Sequence, residues 1–84
     1  MPDIRMYGAD WCGDCRRSKR LLDELGVGYE WIDVEADPGA RTRMREINGG
    51  RNVIPTIVLP DGSFLTEPSN EELARTLQTA GLRG

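Results

Sequence analysis

The chain has 84 residues, of which 38% are hydrophobic and 30% charged, with a formal net charge of −3 and no histidine. This length predicts one small domain over residues 1–84 with a marginal hydrophobic core. The acidic balance argues against general nucleic-acid binding, which favours a basic surface. The N-terminal residues lack the apolar stretch of a signal peptide, and no apolar run approaches the ~18 residues of a membrane span. We therefore expect a cytosolic protein without nucleic-acid or membrane partners.

The first part of the chain predicts a strand, a helix and a second strand. Apolar and polar residues alternate from Asp3 to Tyr7, as expected for a short strand. The pattern becomes helical from Gly13 to Leu25, and Gly26 is suited to end that helix. Tyr29 to Val34 predicts the second strand. The helix should bury a stripe of residues with helical spacing, widened by Leu21: Cys15, Ser18, Leu22 and Leu25.

The middle of the chain predicts a second helix and a third strand. Asp37 followed by Pro38 is a typical helix start, with an N-cap and a proline at the first helical position. Asn48-Gly49-Gly50 is suited to end this helix. Its apolar face is expected at Ala40, Met44 and Ile47. Thr56 to Leu59 then predicts a strand, opened by a proline that a strand end tolerates.

The last part of the chain predicts a hairpin and a third helix. The turn Pro60-Asp61-Gly62 returns the chain into a paired strand from Ser63 to Thr66. Ser69 and Glu72 form an S-x-x-E capping box, which predicts a helix start. The core face of this helix is expected at Leu73, Leu77 and Ala80.

The predicted order of elements is β-α-β-α-β-β-α, which belongs to the α/β class. The first β-α-β unit is expected to be parallel and right-handed. The terminal hairpin should run antiparallel to it. We therefore predict a four-stranded mixed sheet with three helices on its faces.

Cys12 and Cys15 are the only two cysteines, and they lie in the segment Trp11-Cys12-Gly13-Asp14-Cys15. Four interpretations are open: part of a zinc site, a structural disulfide, an inert buried pair, or a redox pair. Zinc usually takes four Cys or His ligands, and this chain offers no others. A disulfide closing so short a loop would stabilise the fold by only about 2 kcal/mol. A CxxC beside a β-α-β pattern is typical of thioredoxin-like redox proteins, and we favour this interpretation.

Helical phase makes the two cysteines unequal. Cys15 lies on the predicted core stripe, whereas Cys12 lies at the helix start, so we expect Cys12 to be exposed and Cys15 sheltered. Unpaired N–H groups and the positive end of the helix dipole favour a thiolate at Cys12. Arg16 could add positive charge there. Asp14 stands between the two cysteines in sequence, and its negative charge should disfavour the thiolate.

Several motifs of this chain resemble the glutaredoxin branch of the thioredoxin superfamily, and most closely the mycoredoxins of actinobacteria. The resemblance extends from Ile4 to about Leu77. The motifs that carry it are WCGDC (11–15) with the following Arg17-Ser18-Lys19, YEWIDVE (29–35), INGGRNVIPTI (47–57) and DGSFLTEPS (61–69).

The resemblance implies a thioredoxin fold of the glutaredoxin type and a glutathione- or mycothiol-dependent disulfide oxidoreductase. Cys12 would be the nucleophile and Cys15 the resolving cysteine, with no tightly bound cofactor. The resemblance also implies a cis peptide between Ile54 and Pro55, beside the nucleophile. The candidate substrate-binding residues are Trp11, Gly13, Asp14, Arg16, Ile54, Pro55, Thr66 and Glu67.

Departures from classical glutaredoxins favour mycothiol over glutathione as the small thiol. Where those proteins usually carry a Gly-Gly-x-Asp motif, this chain has Leu65-Thr66-Glu67-Pro68-Ser69, and Asp10 stands near the position of a usual lysine. Glu67 and Asp10 should repel the carboxylates of glutathione. Mycothiol joins cysteine to a glucosamine–inositol sugar and lacks those two carboxylates. The arginine that mycoredoxins usually carry before the cis-proline is replaced by Asn52, with Arg51 one place earlier.

We therefore expect a monomer that reduces mixed disulfides between client proteins and a small thiol, with mycothiol favoured over glutathione. Two alternative functions stay open. One is a dithiol electron carrier that reduces protein disulfides and is recharged by a flavoprotein of the thioredoxin-reductase type. The other is an iron–sulfur cluster carrier.

Overall fold

The structure, a computed structural model, describes residues 4–82. Its four-stranded sheet has the strand order β2-β1-β3-β4. The β1 strand pairs parallel with β2 and antiparallel with β3, and β3 pairs antiparallel with β4. The elements are β1 (Ile4–Gly8), α1 (Gly13–Glu24), β2 (Tyr29–Asp33), α2 (Pro38–Ile47), β3 (Thr56–Val58), β4 (Phe64–Thr66) and α3 (Asn70–Thr79). The predicted order and the mixed sheet are confirmed.

Strand boundaries differ slightly from those predicted. The predicted start of the first strand, Asp3, lies outside the described residues, and β1 extends to Gly8. Each of β2, β3 and β4 is one residue shorter than predicted. The hairpin nevertheless continues beyond β3, because the Leu59 N–H donates to the Ser63 carbonyl at 2.8 Å.

The central strand β1 is buried on both faces of the sheet. Ile4 and Met6 pack into one apolar cluster with Leu22 of α1 and Leu77 of α3. Tyr7 packs into a second apolar cluster, which includes Ala40 and Met44 of α2. The sheet is therefore covered by α1 and α3 on one face and by α2 on the other.

The predicted helix starts are confirmed by their hydrogen bonds. The Asp37 carboxylate accepts from the N–H groups of Gly39 and Ala40, at 3.0 and 3.2 Å, with Pro38 at the first helical position. The Ser69 hydroxyl accepts from the Glu72 N–H at 3.0 Å. These side-chain oxygens satisfy N–H groups that have no partner within the helix.

Two residues expected on the core face are exposed instead, namely Leu25 and Ala80. Both are C-cap residues, and a glycine with positive φ follows each of them, Gly26 at 69° and Gly81 at 72°. The chain then folds back, so that the apolar residue after the glycine packs against the core.

The hydrogen bonds identify both helix ends as Schellman motifs. After α1, the Val27 N–H donates to the Leu22 carbonyl at 3.0 Å, and after α3 the Leu82 N–H donates to the Leu77 carbonyl at 2.9 Å. Val27 is buried and Leu82 is partly buried against the core. In this motif an apolar contact commonly accompanies the backbone bonds. Val27 and Leu82 therefore replace Leu25 and Ala80 in the predicted core.

Candidate active site

Cys12 lies at the start of α1, immediately before the first helical residue. It is the N-cap, with φ −80° and ψ 116°, and its Sγ accepts a hydrogen bond from the Cys15 N–H at 3.2 Å. A sulfur in this place faces the unpaired N–H groups and the positive end of the helix dipole, which stabilise negative charge. Both cysteines are free thiols.

The expectation that Cys12 is exposed is wrong, because only 8% of this residue is accessible to solvent. Cys12 packs into the apolar cluster that also contains Cys15 and Leu22, and Ile54 packs against that cluster. The expected order of accessibility still holds, since Cys15 is completely buried. Only Cys12 offers an edge to an incoming disulfide.

Cys15 is a neutral thiol at physiological pH. Burial, with smaller contributions from the contact with Cys12 and the charge of Asp14, raises the pKa of Cys15 from its ordinary value near 9.0 to about 12. A hydrogen bond with the Ala9 backbone acts in the opposite direction but is outweighed. Since the thiolate is the attacking species, Cys15 is not suited to begin an exchange reaction.

Gly8, at the end of β1, leaves room for the Cys15 sulfur. A side-chain Cβ at Gly8 would lie 2.7 Å from Cys15 Sγ and 2.7 Å from Cη2 of Trp31. The Lys19 ammonium lies 4.0 Å from the centre of the Trp31 ring. Trp31 belongs to β2, as predicted, and its ring packs against the apolar cluster that contains Cys15.

Trp11 precedes Cys12 and is 64% exposed. Its indole N–H donates to the Glu35 carboxylate at 2.8 Å, so the ring is held from a different segment of the chain. Arg16 donates to the Trp11 carbonyl at 3.4 Å. The Arg16 guanidinium is therefore directed at the backbone of the active-site loop.

Asp14 is paired with Arg17, an interaction that the sequence interpretation missed. The Arg17 guanidinium lies 3.0 Å from the Asp14 carboxylate and donates to the Pro68 carbonyl at 3.1 Å. Both side chains are about half exposed. The i,i+3 spacing of an acid and a base was the available signal. Arg17 offsets the Asp14 charge and joins the start of α1 to the segment before α3.

The peptide bond between Ile54 and Pro55 is cis, as the family resemblance implied. The Glu67 N–H donates to the Pro55 carbonyl at 2.9 Å, and Thr66 pairs with Thr56 in the sheet. Glu67 has φ 45°, in the left-handed region that favours glycine. The structure therefore brings Thr66 and Glu67, both exposed, beside the cis-proline.

Gly13 lies at the first position of α1 and is exposed. A Cβ built on it would meet nothing within 4 Å. Close packing therefore does not explain a glycine between the two cysteines.

A cleft of about 170 Å³ lies beside Trp11. Trp11 and Ile54 line it, as do Glu35, Arg41 and Asn52. Val34 and Met44 complete the lining. The sequence interpretation proposed Trp11 and Ile54 for substrate binding but missed Glu35 and Arg41. Glu35 ends the YEWIDVE motif, which was the one available signal, whereas Arg41 carried none.

Within residues 4–82, no group of three or more Cys, Asp or Glu side chains could hold a metal ion. None of the three helices is long and apolar enough to cross a membrane.

The fold and the CxxC site together define the class of protein, namely a thioredoxin-fold protein with a CxxC site. The glutaredoxin of Archaeoglobus fulgidus superposes with a TM-score of 0.79, covering 93% of this chain and 88% of that chain, at 24% sequence identity. This likeness identifies the thioredoxin fold of the glutaredoxin type.

The glutaredoxin family profile matches residues 4–65. A Mycobacterium tuberculosis protein with a provisional glutaredoxin name is 35% identical over 93% of this chain and 94% of its own length. Mycoredoxin 1 of Corynebacterium glutamicum is 32% identical over 93% of this chain and 96% of its own length. The chain belongs to the glutaredoxin family. Members of this family are thiol-disulfide oxidoreductases that use a small thiol as co-substrate and hold no tightly bound cofactor.

Proposed function

We propose that this chain is a monomeric, cytoplasmic oxidoreductase that uses mycothiol to reduce mixed disulfides on client proteins, as a single domain over residues 1–84. The observation that carries the proposal is the inequality of the two sulfurs. Cys12 caps α1 and retains an accessible edge, whereas Cys15 is completely buried and its pKa is raised to about 12. In such a pair, Cys12 is the nucleophile and Cys15 is the resolving cysteine.

The first step is an exchange at Cys12. Its thiolate attacks the mycothiol sulfur of the mixed disulfide, and the client sulfur leaves as a thiolate that takes up a proton. A second mycothiol thiolate then attacks the mycothiol sulfur bound to Cys12. This releases the Cys12 thiolate and the symmetrical mycothiol disulfide, so that electrons and atoms balance.

Cys15 serves a second route, for clients that form a disulfide directly with Cys12. After losing its proton, Cys15 attacks the Cys12 sulfur and releases the client thiol. The Cys12–Cys15 disulfide that results must then be reduced by two mycothiols. The raised pKa of the buried Cys15 keeps its thiolate scarce, which opposes this route.

The roles of the surrounding residues follow from their positions. Ile54 presents backbone groups with which the extended part of the bound thiol can pair, as a short added strand would, and the cis peptide to Pro55 sets the direction of that backbone. Arg16 supports the Trp11 backbone, while Gly13 leaves the entrance open. Asp14 forms an ion pair with Arg17, so its charge is not unpaired beside the cysteines.

Charge favours mycothiol over glutathione. Glu67 is exposed beside Pro55, and Asp10 is exposed two residues before Cys12. Both carboxylates oppose a tripeptide that carries two carboxylates of its own. Thr66 and Ser69 offer hydroxyl groups to a polar, uncharged part of the small thiol. The likeness to a protein named mycoredoxin supports the same choice.

Cysteine variants test the assignment of the two sulfurs. On a mixed disulfide between mycothiol and a small client, we expect Cys12→Ser to abolish turnover and Cys15→Ser to retain most of it. The reverse pattern would contradict the assignment. A different result would identify the dithiol electron carrier: both variants would lose activity, and the parent protein would be fully active when a thioredoxin-reductase-type flavoprotein replaces mycothiol.

Matched mixed disulfides of one client with mycothiol and with glutathione test the small thiol. Each is assayed with its own thiol as the reductant. We expect kcat/KM to be at least about tenfold higher with mycothiol, a difference of about 1.4 kcal/mol in transition-state stabilisation. A preference for glutathione would overturn the interpretation of Glu67 and Asp10.

A further inference from the structure

We infer that the cleft beside Trp11 binds a neutral, hydroxyl-rich ring, and that Glu35 positions the Trp11 indole for it. The inference rests on the proposed function, because that ring would be the sugar part of the small thiol. It assigns a ligand-binding function to the cleft and binding roles to Glu35, Arg41 and Asn52. The cysteine chemistry alone requires none of these.

The cleft is adjacent to the nucleophile. Trp11 precedes Cys12 directly, and Ile54, at the cis peptide, lines the other side. A thiol whose sulfur reaches Cys12 and whose backbone-like part lies along Ile54 would extend its remaining atoms into this space. The volume of about 170 Å³ suits one six-membered ring with its substituents rather than a whole cofactor.

The lining offers both kinds of surface that such a ring requires. The Trp11 ring is largely exposed, and Val34 and Met44 are buried beneath the cleft. These apolar groups suit the C–H faces of a sugar or cyclitol. The polar groups stand at the rim, where Glu35, Arg41 and Asn52 are all exposed.

The polar groups complement hydroxyls better than they complement an anion. A carboxylate only accepts hydrogen bonds, a guanidinium only donates them, and an amide does both. A hydroxyl group needs an acceptor and a donor together, and Glu35 and Arg41 supply these. Their formal charges cancel, so a bound carboxylate would meet Glu35 as well as Arg41. Within residues 4–82, Arg41 takes part in none of the three ion pairs and remains available.

Glu35 also acts on the cleft through Trp11. The exposed indole has no buried socket, and its bond of 2.8 Å to Glu35 Oε1 fixes the orientation of the ring. The second carboxylate oxygen stays available for a hydroxyl group. Without this bond, the Trp11 ring would sample several rotamers and the cleft would lose one wall part of the time.

The cysteine-free glucosamine–inositol compound, with its amine acetylated so that the ring stays neutral as in mycothiol, is the direct probe, since it carries the proposed ring system and no thiol. Its titration is followed through the two indole N–H signals in ¹H–¹⁵N spectra, assigned with Trp11→Phe. We expect the Trp11 signal to shift in a saturable manner while the Trp31 signal stays in place. An unmoved Trp11 signal at saturating compound, or a shift of the Trp31 signal alone, would overturn the inference.

Kinetics with mycothiol test the positioning role of Glu35. We expect Glu35→Leu to raise KM for mycothiol about tenfold with kcat nearly unchanged, because hydrogen bonds to the bound ring are lost. Glu35→Gln keeps an oxygen that accepts from the indole and should stay within about threefold of the parent. Glu30→Gln, an exposed acid on β2 outside the cleft, is the charge-matched control. Equal damage from Glu35→Gln and Glu35→Leu, or none from either, would contradict the positioning role.

The two proposals fail separately. Preference for mycothiol over glutathione, with no binding of the cysteine-free compound, would leave the proposed function standing and remove this site. Binding of that compound at Trp11, with no turnover of mycothiol mixed disulfides, would do the opposite.

Discussion

At the scale of single residues, the two cysteines show how neighbouring positions acquire different chemistry. Cys12 and Cys15 are one helical turn apart, and the Cys12 sulfur accepts a hydrogen bond from the backbone of Cys15. Burial keeps the Cys15 proton in place, whereas the helix start surrounds Cys12 with N–H groups. The division of labour in the proposed mechanism follows from this contrast.

Selective alkylation tests this contrast. In the folded, reduced protein near pH 8, we expect iodoacetamide to modify Cys12 and to leave Cys15 unmodified, because the pKa of Cys15 is raised to about 12. Peptide mass spectrometry after quenching locates the adduct. The unfolded protein, in which both thiols are accessible, should take up two adducts. Rapid double modification of the folded protein would contradict the assigned burial.

The same pKa shift predicts how stability depends on pH. The folded state holds the Cys15 proton more tightly than the unfolded state, whose thiol titrates near 9.0. This contribution to the free energy of unfolding is complete below about pH 9 and is lost as pH rises toward 12. In urea titrations from pH 8 upward, Cys15→Ala should therefore show a shallower loss of stability than the parent. Parallel curves would mean that Cys15 titrates alike in both states.

Gly8 gives a second prediction at this scale. A methyl group there would overlap both Cys15 Sγ and the Trp31 ring, each 2.7 Å from the Cβ. We expect Gly8→Ala to lower the free energy of unfolding by about 2 kcal/mol, as overpacking does. Gly13→Ala is the control, since open space surrounds its Cβ and alanine favours the helix by about 1 kcal/mol. Urea titration of both variants measures the difference. Equal effects of the two substitutions would show that Cys15 and Trp31 yield without cost.

At the scale of elements, the helix starts were predictable and the helix ends only partly so. Asp37-Pro38 and Ser69 are local signals, because an N-cap needs only its own side chain and the next residues. The glycine after α1 was also recognised. The sequence pattern did not predict the path of the chain after each helix end. The burial of Val27 and Leu82 depends on the other elements that form the core. Helical periodicity alone placed Leu25 and Ala80 inside.

Two serines make a prediction at this scale. The Ser69 hydroxyl caps α3, whereas the Ser18 hydroxyl, buried in α1, has no hydrogen-bond partner within residues 4–82. We expect Ser69→Ala to lower the free energy of unfolding by about 1 kcal/mol. Ser18→Ala should be neutral or stabilising by up to about 1 kcal/mol, because an unsatisfied buried hydroxyl is removed. Thermal or urea unfolding measures both. Destabilisation by Ser18→Ala beyond that of Ser69→Ala would mean that the hydroxyl has a partner in solution.

At the scale of the whole molecule, four segments far apart in sequence form the candidate site. Arg17 reaches Pro68, Glu67 reaches Pro55, and Trp11 reaches Glu35. The fold class, the cysteine order and the cis peptide were reached from the sequence, the last through the family resemblance. These cross-links were not, because no local pattern specifies which distant group a flexible side chain will meet. For the same reason, the burial of Cys12 could not be foreseen.

Glu67 carries the prediction that depends on three of these segments, namely the start of α1, the cis-proline segment and the segment before α3. Its backbone has φ 45°, and it is fixed between Pro55 and the Arg17–Pro68 bond. In this region a residue with a Cβ destabilises the folded state by roughly 1–2 kcal/mol, and glycine would remove that strain. Glycine also loses more conformational entropy on folding, which would cancel about half of the gain. We expect Glu67→Gly to raise the free energy of unfolding by about 0.5–1 kcal/mol in urea titration. An acid at a strained backbone position motivates the hypothesis that its charge has a role.

Glu67→Gln separates the charge from the strain. It keeps the unfavourable φ and removes the carboxylate, so stability should stay within about 0.5 kcal/mol of the parent. If the carboxylate repels glutathione, both Glu67→Gln and Glu67→Gly should raise kcat/KM for glutathione mixed disulfides about three- to tenfold, with little change for mycothiol. An increase confined to Glu67→Gly would assign selectivity to backbone shape, and no increase in either variant would remove Glu67 from the choice of thiol. Because added salt screens an exposed charge, the parent enzyme should also gain activity with glutathione as ionic strength rises, while Glu67→Gln should gain less because only Asp10 remains to be screened.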